Sequence, residues 1–190
     1  GTEEGLEEEL LLAAKSKLVE VEHEIRKRAA TVAVEAATKK NDIEVLHRVI
    51  AEAVEADVEE EPLSAARRKL AKLEMAVAVE GFDVELLLEA IDNAKKAKVD
   101  EEGIQVGKRR LLELEPAAYN KLIYDEVVEA TGGKDVATLM RAIAAAVEVG
   151  VDESVLYDAR RRLAELEMAV AAEGDDIEDL KEAMQVAEEA

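Results

Sequence analysis

Apolar residues recur along this chain at alternating intervals of three and four, and Asp, Asn or Gly stands between the runs. Across 59–80, Leu63, Ala66, Leu70, Leu73 and Val77 keep this spacing, which places them on one face of an α-helix. A narrower stripe of Ala71, Met75 and Ala78 predicts contact on another side of the same helix. Asp42, Asp83, Asp135 and Asp176 each precede a periodic run, where a side-chain oxygen can accept from the unbonded amides of a first helical turn. Asp100 and Asp152 are placed to cap two longer helices, and breaks fall at Asn41, Gly81, Gly132-Gly133, Gly150 and Gly174. The pattern predicts helices over 7–38, 42–56, 59–80, 83–97, 100–131, 135–149, 152–173 and 176–190, with Pro116 kinking the longest of the later ones. No alternating strand pattern competes.

Shifted by 93 residues the chain matches itself without a gap. Residues 66–83 (ARRKLAKLEMAVAVEGFD) and 159–176 (ARRRLAELEMAVAAEGDD) are identical at fourteen of eighteen positions. The register extends to Ile50 and Ile143, Glu22 and Glu115, Thr38 and Thr131. A finer repeat lies inside: Ile43, Leu46, Ile50, Val58, Leu70 and Leu73 recur 41 residues later as Val84, Leu87, Ile91, Val99, Leu111 and Leu114. The next step, Val84 to Val136, is 52 residues, and the extra eleven are close to three helical turns, so a helix lengthens without rotating its buried face. Residues 1–93 and 94–186 therefore read as two repeat pairs, with 187–190 ending a truncated next unit.

Short breaks between successive helices predict antiparallel hairpins, and hairpins recurring in register predict a stack. The expected fold is all-α, with tandem antiparallel hairpins of alternating short and long helices. On these residues the chain resembles the helical-hairpin, or α-solenoid, repeat class over nearly its whole length. The tetratricopeptide spacing of 34 and its aromatic positions do not match. The resemblance implies an interaction scaffold and transfers no particular site.

Composition narrows the chemistry. The chain has 190 residues, no Cys, no Trp, two His and a formal charge of -21. Without Cys there is no disulfide framework, thiol nucleophile or thiolate metal site. The acidity disfavours nucleic acid and anionic membrane surfaces, which bind through Lys and Arg. No run approaches the roughly 20 apolar residues that span a bilayer, so no membrane insertion is expected, and localisation stays unassigned. No signal-peptide pattern opens the sequence.

Three basic triplets stand against the acidity: Arg67-Arg68-Lys69, Lys108-Arg109-Arg110 and Arg160-Arg161-Arg162, with Lys15-Ser16-Lys17 a weaker copy. Glu22, Glu74, Glu115 and Glu167 each follow the first basic position by seven residues, two turns along the same face. Arg67, Lys108 and Arg160 with Glu74, Glu115 and Glu167 are thus candidates for an ion-pair ladder between neighbouring helices, or for a cationic stripe that meets a partner. Acids cluster in first turns (Glu7-Glu8-Glu9, Glu59-Glu60-Glu61, Asp100-Glu101-Glu102), where they oppose the helix dipole. Asp175, Asp176, Glu178 and Asp179 form the densest group, but no loop is built to wrap a calcium ion. His23 and His47 have no second ligand or catalytic partner by spacing, and Thr131-Gly132-Gly133-Lys134 lacks the spacing of a phosphate loop. Gly103 and Gly107, inside a helix, predict close approach of a neighbouring backbone.

No catalytic, cofactor or metal residue is expected, and the chain reads as a non-catalytic helical-repeat interaction or scaffold module of a larger protein. A structural spacer or self-assembling rod, and an acidic low-affinity calcium or mineral-surface binder, are the alternatives. Ile177, Leu180, Met184 and Ala187 are expected to form an apolar face at the end of the array, open to a protein partner or to end-to-end self-association.

Overall fold

The computed structural model describes residues 2–173, with side chains from 10 to 172. The described residues are all-helical: α1 (Thr2–Thr38), α2 (Ile43–Glu55), α3 (Glu60–Glu80), α4 (Val84–Lys96), α5 (Glu101–Leu114), α6 (Pro116–Gly132), α7 (Val136–Val149) and α8 (Glu153–Glu173). The expected helix over 176–190, and with it Ile177, Leu180, Met184 and Ala187, lies outside the described residues. The Asp175–Asp179 group lies there too.

The expected long helix over 100–131 is two helices. Proline bars the preceding residue from helical geometry, and Glu115 accordingly sits at φ -149, ψ 85, with Pro116 opening α6 at the position where its missing N–H matters least. The chain stays hydrogen-bonded through the break, Glu115 N–H to Leu111 O at 2.8 Å and Tyr119 N–H to Glu115 O at 3.1 Å. In α1 the position 93 residues earlier is His23, and that helix runs unbroken.

The helices form two compact units, Gly1–Arg110 and Leu111–Ala190. In the first, the C-terminal part of α1 packs on α2 and α3, and α3 packs on α4. Its core holds Val34, Leu46, Val49, Ala53, Leu63 and Ala66, all buried. In the second, α6 packs on α7 and α8 around Val127, Leu139, Ala142, Ala146, Leu156 and Ala159. Each of these six lies 93 residues beyond its counterpart in the first core.

The helix starts are made by the expected aspartates. Asp42 accepts from Val45 N–H (3.0 Å), Asp83 from Leu86 N–H (3.1 Å), Asp100 from Gly103 N–H (3.0 Å) and Asp135 from Thr138 N–H (3.2 Å). The C-termini of α2, α4 and α7 share one motif. Val58, Val99 and Val151 donate to Ala53, Ala94 and Ala146 at 3.0, 2.9 and 3.0 Å, while the residue before each valine adopts left-handed backbone. Those left-handed residues are Asp57, Lys98 and Gly150, and only the third is a glycine.

At Gly107, side chains of α3 and α4 come close against the backbone of α5. A Cβ built there would lie 2.6 Å from Met75 Sδ on α3 and 3.0 Å from Ile91 Cγ1 on α4. The second stripe of α3, Ala71, Met75 and Ala78, is fully buried, and Met75 places the start of α5 over it.

Candidate functional site

The basic triplets do three different things, one for each position. The third residue clamps the turn that begins the preceding hairpin. Lys69 Nζ donates to Asn41 Oδ1 at 2.6 Å, Arg110 Nη2 to Gly81 O at 3.2 Å and Arg162 Nη2 to Gly133 O at 3.3 Å. Backbone carbonyls just past a helix end carry partial negative charge and need donors, so a cation suits the position. Arg110 also lies 5.3 Å over the Phe82 ring, whose face attracts a cation. Sequence reasoning passed over these third residues; the signal was present in their recurrence opposite a Gly or Asn turn. The second residues stay near the surface: Arg68 donates to Ala97 O (3.4 Å) and Arg161 pairs with Glu165 (3.5 Å).

The first residues are the ones expected to form a ladder or meet a partner. Arg67 pairs with Glu60 on its own helix at 2.9 Å, and Arg160 with Glu153 on its own at 2.7 Å. Both carboxylates lie seven residues earlier, in the acidic first turn, where they serve the helix dipole and the arginine together. Lys108 is 7% exposed, out of a partner's reach. Glu74 accepts His47 Nε2 from α2 at 2.8 Å, Glu115 is the exposed residue between α5 and α6, and Glu167 is half-buried on α8.

Arg67 and Glu74 do meet in one place. They line an open cleft of about 440 Å³ on the face formed by α2, α3 and α4. Its apolar floor is Ile50, Leu70, Ala71 and Ala97, and its polar groups are His47, Arg67, Glu74, Asn93 and Lys96. The alternating spacing of α3 explains the arrangement: Leu70 and Ala71 point inward, while Arg67 and Glu74, two turns apart, stand at either end of the same ridge. The partner that His47 lacked by spacing is Glu74, brought from 27 residues away by the α2–α3 hairpin. The hydrogen bond that Lys96 donates to Asp92, together with the Asp92 charge, raises the Lys96 ammonium above its ordinary pKa. Lys96 thus stays protonated across the neutral range, with most of its side chain in solvent. The cleft offers two cations, an amide and an imidazole bonded to the Glu74 carboxylate, above an apolar floor.

Acidic first turns are occupied by structural work. Glu59 accepts Lys27 Nζ of α1 at 2.7 Å, a hydrogen bond that lowers the Glu59 pKa and raises that of Lys27. Asp100 bonds Lys72 as well as its capping amide, and both contacts hold its carboxyl below the usual range. Among the described residues, no three His, Asp or Glu side chains converge on a point where a metal ion could sit. No described helix is long and apolar enough to cross a membrane. Compared with protein-family models, curated proteins and solved structures, the chain has no significant match.

Proposed function

We propose that this chain is a non-catalytic protein–protein interaction module, built as a solenoid-like array of tandem hairpins, whose α2–α4 cleft receives an acidic peptide segment. The observation that carries the reading is the cleft itself. Its volume of about 440 Å³ lies in the range that side-chain and small-ligand pockets occupy. Arg67 and Lys96 line it in a protein of net charge -21, so the cleft offers a partner carboxylate two cations on an otherwise acidic chain. An apolar side chain of the partner fits the floor over Leu70 and Ala71, and flanking carboxylates fit Arg67 and Lys96. Each cation already has an intramolecular carboxylate, Glu60 and Asp92, so a partner carboxylate gains by exchange and the affinity is modest.

The test is an immobilised array of short acidic peptides, each with one central apolar residue, probed with wild type and with Arg67→Glu/Lys96→Glu. The expected result is a subset of peptides retained by wild type, weakened by added salt and lost in the double variant. The Lys96 side chain is largely solvent-exposed and that of Arg67 is 42% exposed, and a circular dichroism melt establishes that the variant is folded. Equal retention by the variant, or none by wild type, refutes the reading.

A further inference from the structure

From Leu10 to Arg26 every residue of α1 is exposed. On this stretch Leu11, Ala14, Leu18, Val21 and Ile25 keep the three-four spacing of a buried face, yet Leu11, Leu18 and Ile25 are 56%, 58% and 63% exposed. A stripe of this kind is a contact face without its partner.

The same chain shows what covers such a face. Moved on by 93 residues, Leu11, Ala14 and Leu18 become Ile104, Gly107 and Leu111 of α5, all buried. The first ten residues of α5 lie on α3 and α4: Gly107 on Met75 and Ile91, Arg110 on Gly81 and Phe82, Asp100 against Lys72. The surface that α1 lacks is therefore a hairpin with the residues of α3 and α4. α8 carries the α3 part of that surface. It repeats α3 in sequence, and its Ala164, Met168 and Ala171 stand where α3 has Ala71, Met75 and Ala78. On α3 all three are buried, whereas on α8 Met168 and Ala171 are only half-buried.

We infer that the chain associates head to tail with further copies of itself, the exposed face of α1 (Leu11, Ala14, Leu18) seating on Met168 and Ala171 of α8 in the next copy, as α5 seats on α3. Apolar residues carry this contact: Asp100 and Lys72, which pair between the start of α5 and α3, are replaced in the same register by Glu7 and Glu165. Ala14 is one carbon larger than Gly107; at Gly107 the nearest atom an added Cβ would meet is Met75 Sδ, in the flexible end of a methionine, and on α8 Met168 holds that position. The contact is between two different faces, so it does not close on itself as a two-fold dimer does, and each added copy leaves one face free. Residues after 173, which repeat α4 in sequence, lie outside the described residues, and the inference stands on α1 and α8. It is independent of the α2–α4 cleft.

Sedimentation velocity on the full chain, from low to high micromolar concentration, reads the association directly. Wild type is expected to grow past a dimer as concentration rises. Added salt should promote growth by screening the repulsion between copies of charge -21, the reverse of its effect on the cleft. Leu18→Glu alters only the α1 face and Met168→Glu only the α8 face; each alone should remain monomeric. An equimolar mixture of the two should give a dimer that grows no further, because only one pair of intact faces remains. Circular dichroism melts establish that each variant is folded, and Ala171→Glu replaces Met168→Glu if the latter melts early. A wild type that stays monomeric throughout overturns the inference. So does an α8 variant that assembles like wild type while Leu18→Glu does not, which would mean that α1 pairs with α1.

Discussion

The three left-handed turn residues offer a perturbation with opposite expected signs at equivalent places. Asp57, Lys98 and Gly150 have φ of 56°, 54° and 72°, and each sits between the last helical residues and the valine that closes the turn. An L-residue in this region carries about 1–2 kcal/mol of steric strain that glycine avoids. Glycine in turn has more freedom to lose on folding, by about 0.4–1 kcal/mol. For Lys98→Gly the difference is a net stabilisation of about 0.8 kcal/mol. Lys98 is exposed, so little side-chain packing is lost with it. Gly150→Ala runs the same balance backwards, a loss of about 0.8 kcal/mol. No steric clash adds to it, because an added Cβ at Gly150 would have nothing within 4 Å. Asp57→Gly should gain less than Lys98→Gly, since aspartate tolerates the region better and the charge of Asp57 also supports protonated Lys27. The assay is equilibrium urea unfolding combined with hydrogen exchange at the Val99 and Val151 amides, which close the two turns at 2.9 and 3.0 Å. Slower exchange at Val99 in Lys98→Gly and faster exchange at Val151 in Gly150→Ala are the expected pair. If Lys98→Gly destabilises while Gly150→Ala changes nothing, the shared turn geometry is wrong.

Two further outcomes follow from contacts in the first unit. Gly107→Val drives two methyl groups into Met75 and Ile91 and should lower stability by about 2 kcal/mol; in a Met75→Ala background the same change should cost much less, and equal costs in both backgrounds would show that Met75 is not the obstacle. Asp100→Ala removes a cap and the partner of Lys72, so it should unfold at lower urea than wild type at pH 7. Because the folded state lowers the Asp100 pKa from its ordinary 3.8, that stability is present above 3.8 and is lost as pH falls through the depressed value. The wild-type and Asp100→Ala midpoints should therefore converge below pH 3.8, and a gap that persists in acid would assign the effect to something other than the carboxylate.

Helix positions, caps and the first part of the α3 stripe were legible because each is set by local physics, while Val77 at the end of that stripe is exposed. A three-four spacing of Leu63, Ala66 and Leu70 makes one apolar face whatever the helix packs on, and an aspartate before such a run caps it by contact with its own next turn. The break before Pro116 is equally local, though the strength of proline's effect on Glu115 turned an expected kink into two helices. Close approach at Gly107 could be anticipated from a glycine pair inside a helix, but not the identity of what approaches it.

Pairing was not legible, because it depends on which helices lie side by side. Arg67 and Glu74 looked like rungs between helices; the folded chain gives Arg67 to Glu60 and Glu74 to His47, since a hairpin brings α2 to one end of the ridge while the acidic first turn of α3 already serves the other. Lys108, equivalent to both arginines in register, is buried where they are not. The third residues, Lys69, Arg110 and Arg162, acquire their role only when a turn 28 or 29 residues earlier comes within reach. Apart from the split into α5 and α6, the sequence alone determined where the described helices begin and end and which side of each is apolar, because those depend on neighbours within a turn or two of the chain. Only the tertiary structure decided which charges meet, where the cleft opens and which apolar face of α1 stays uncovered, because each of these depends on atoms that the chain brings from tens of residues away.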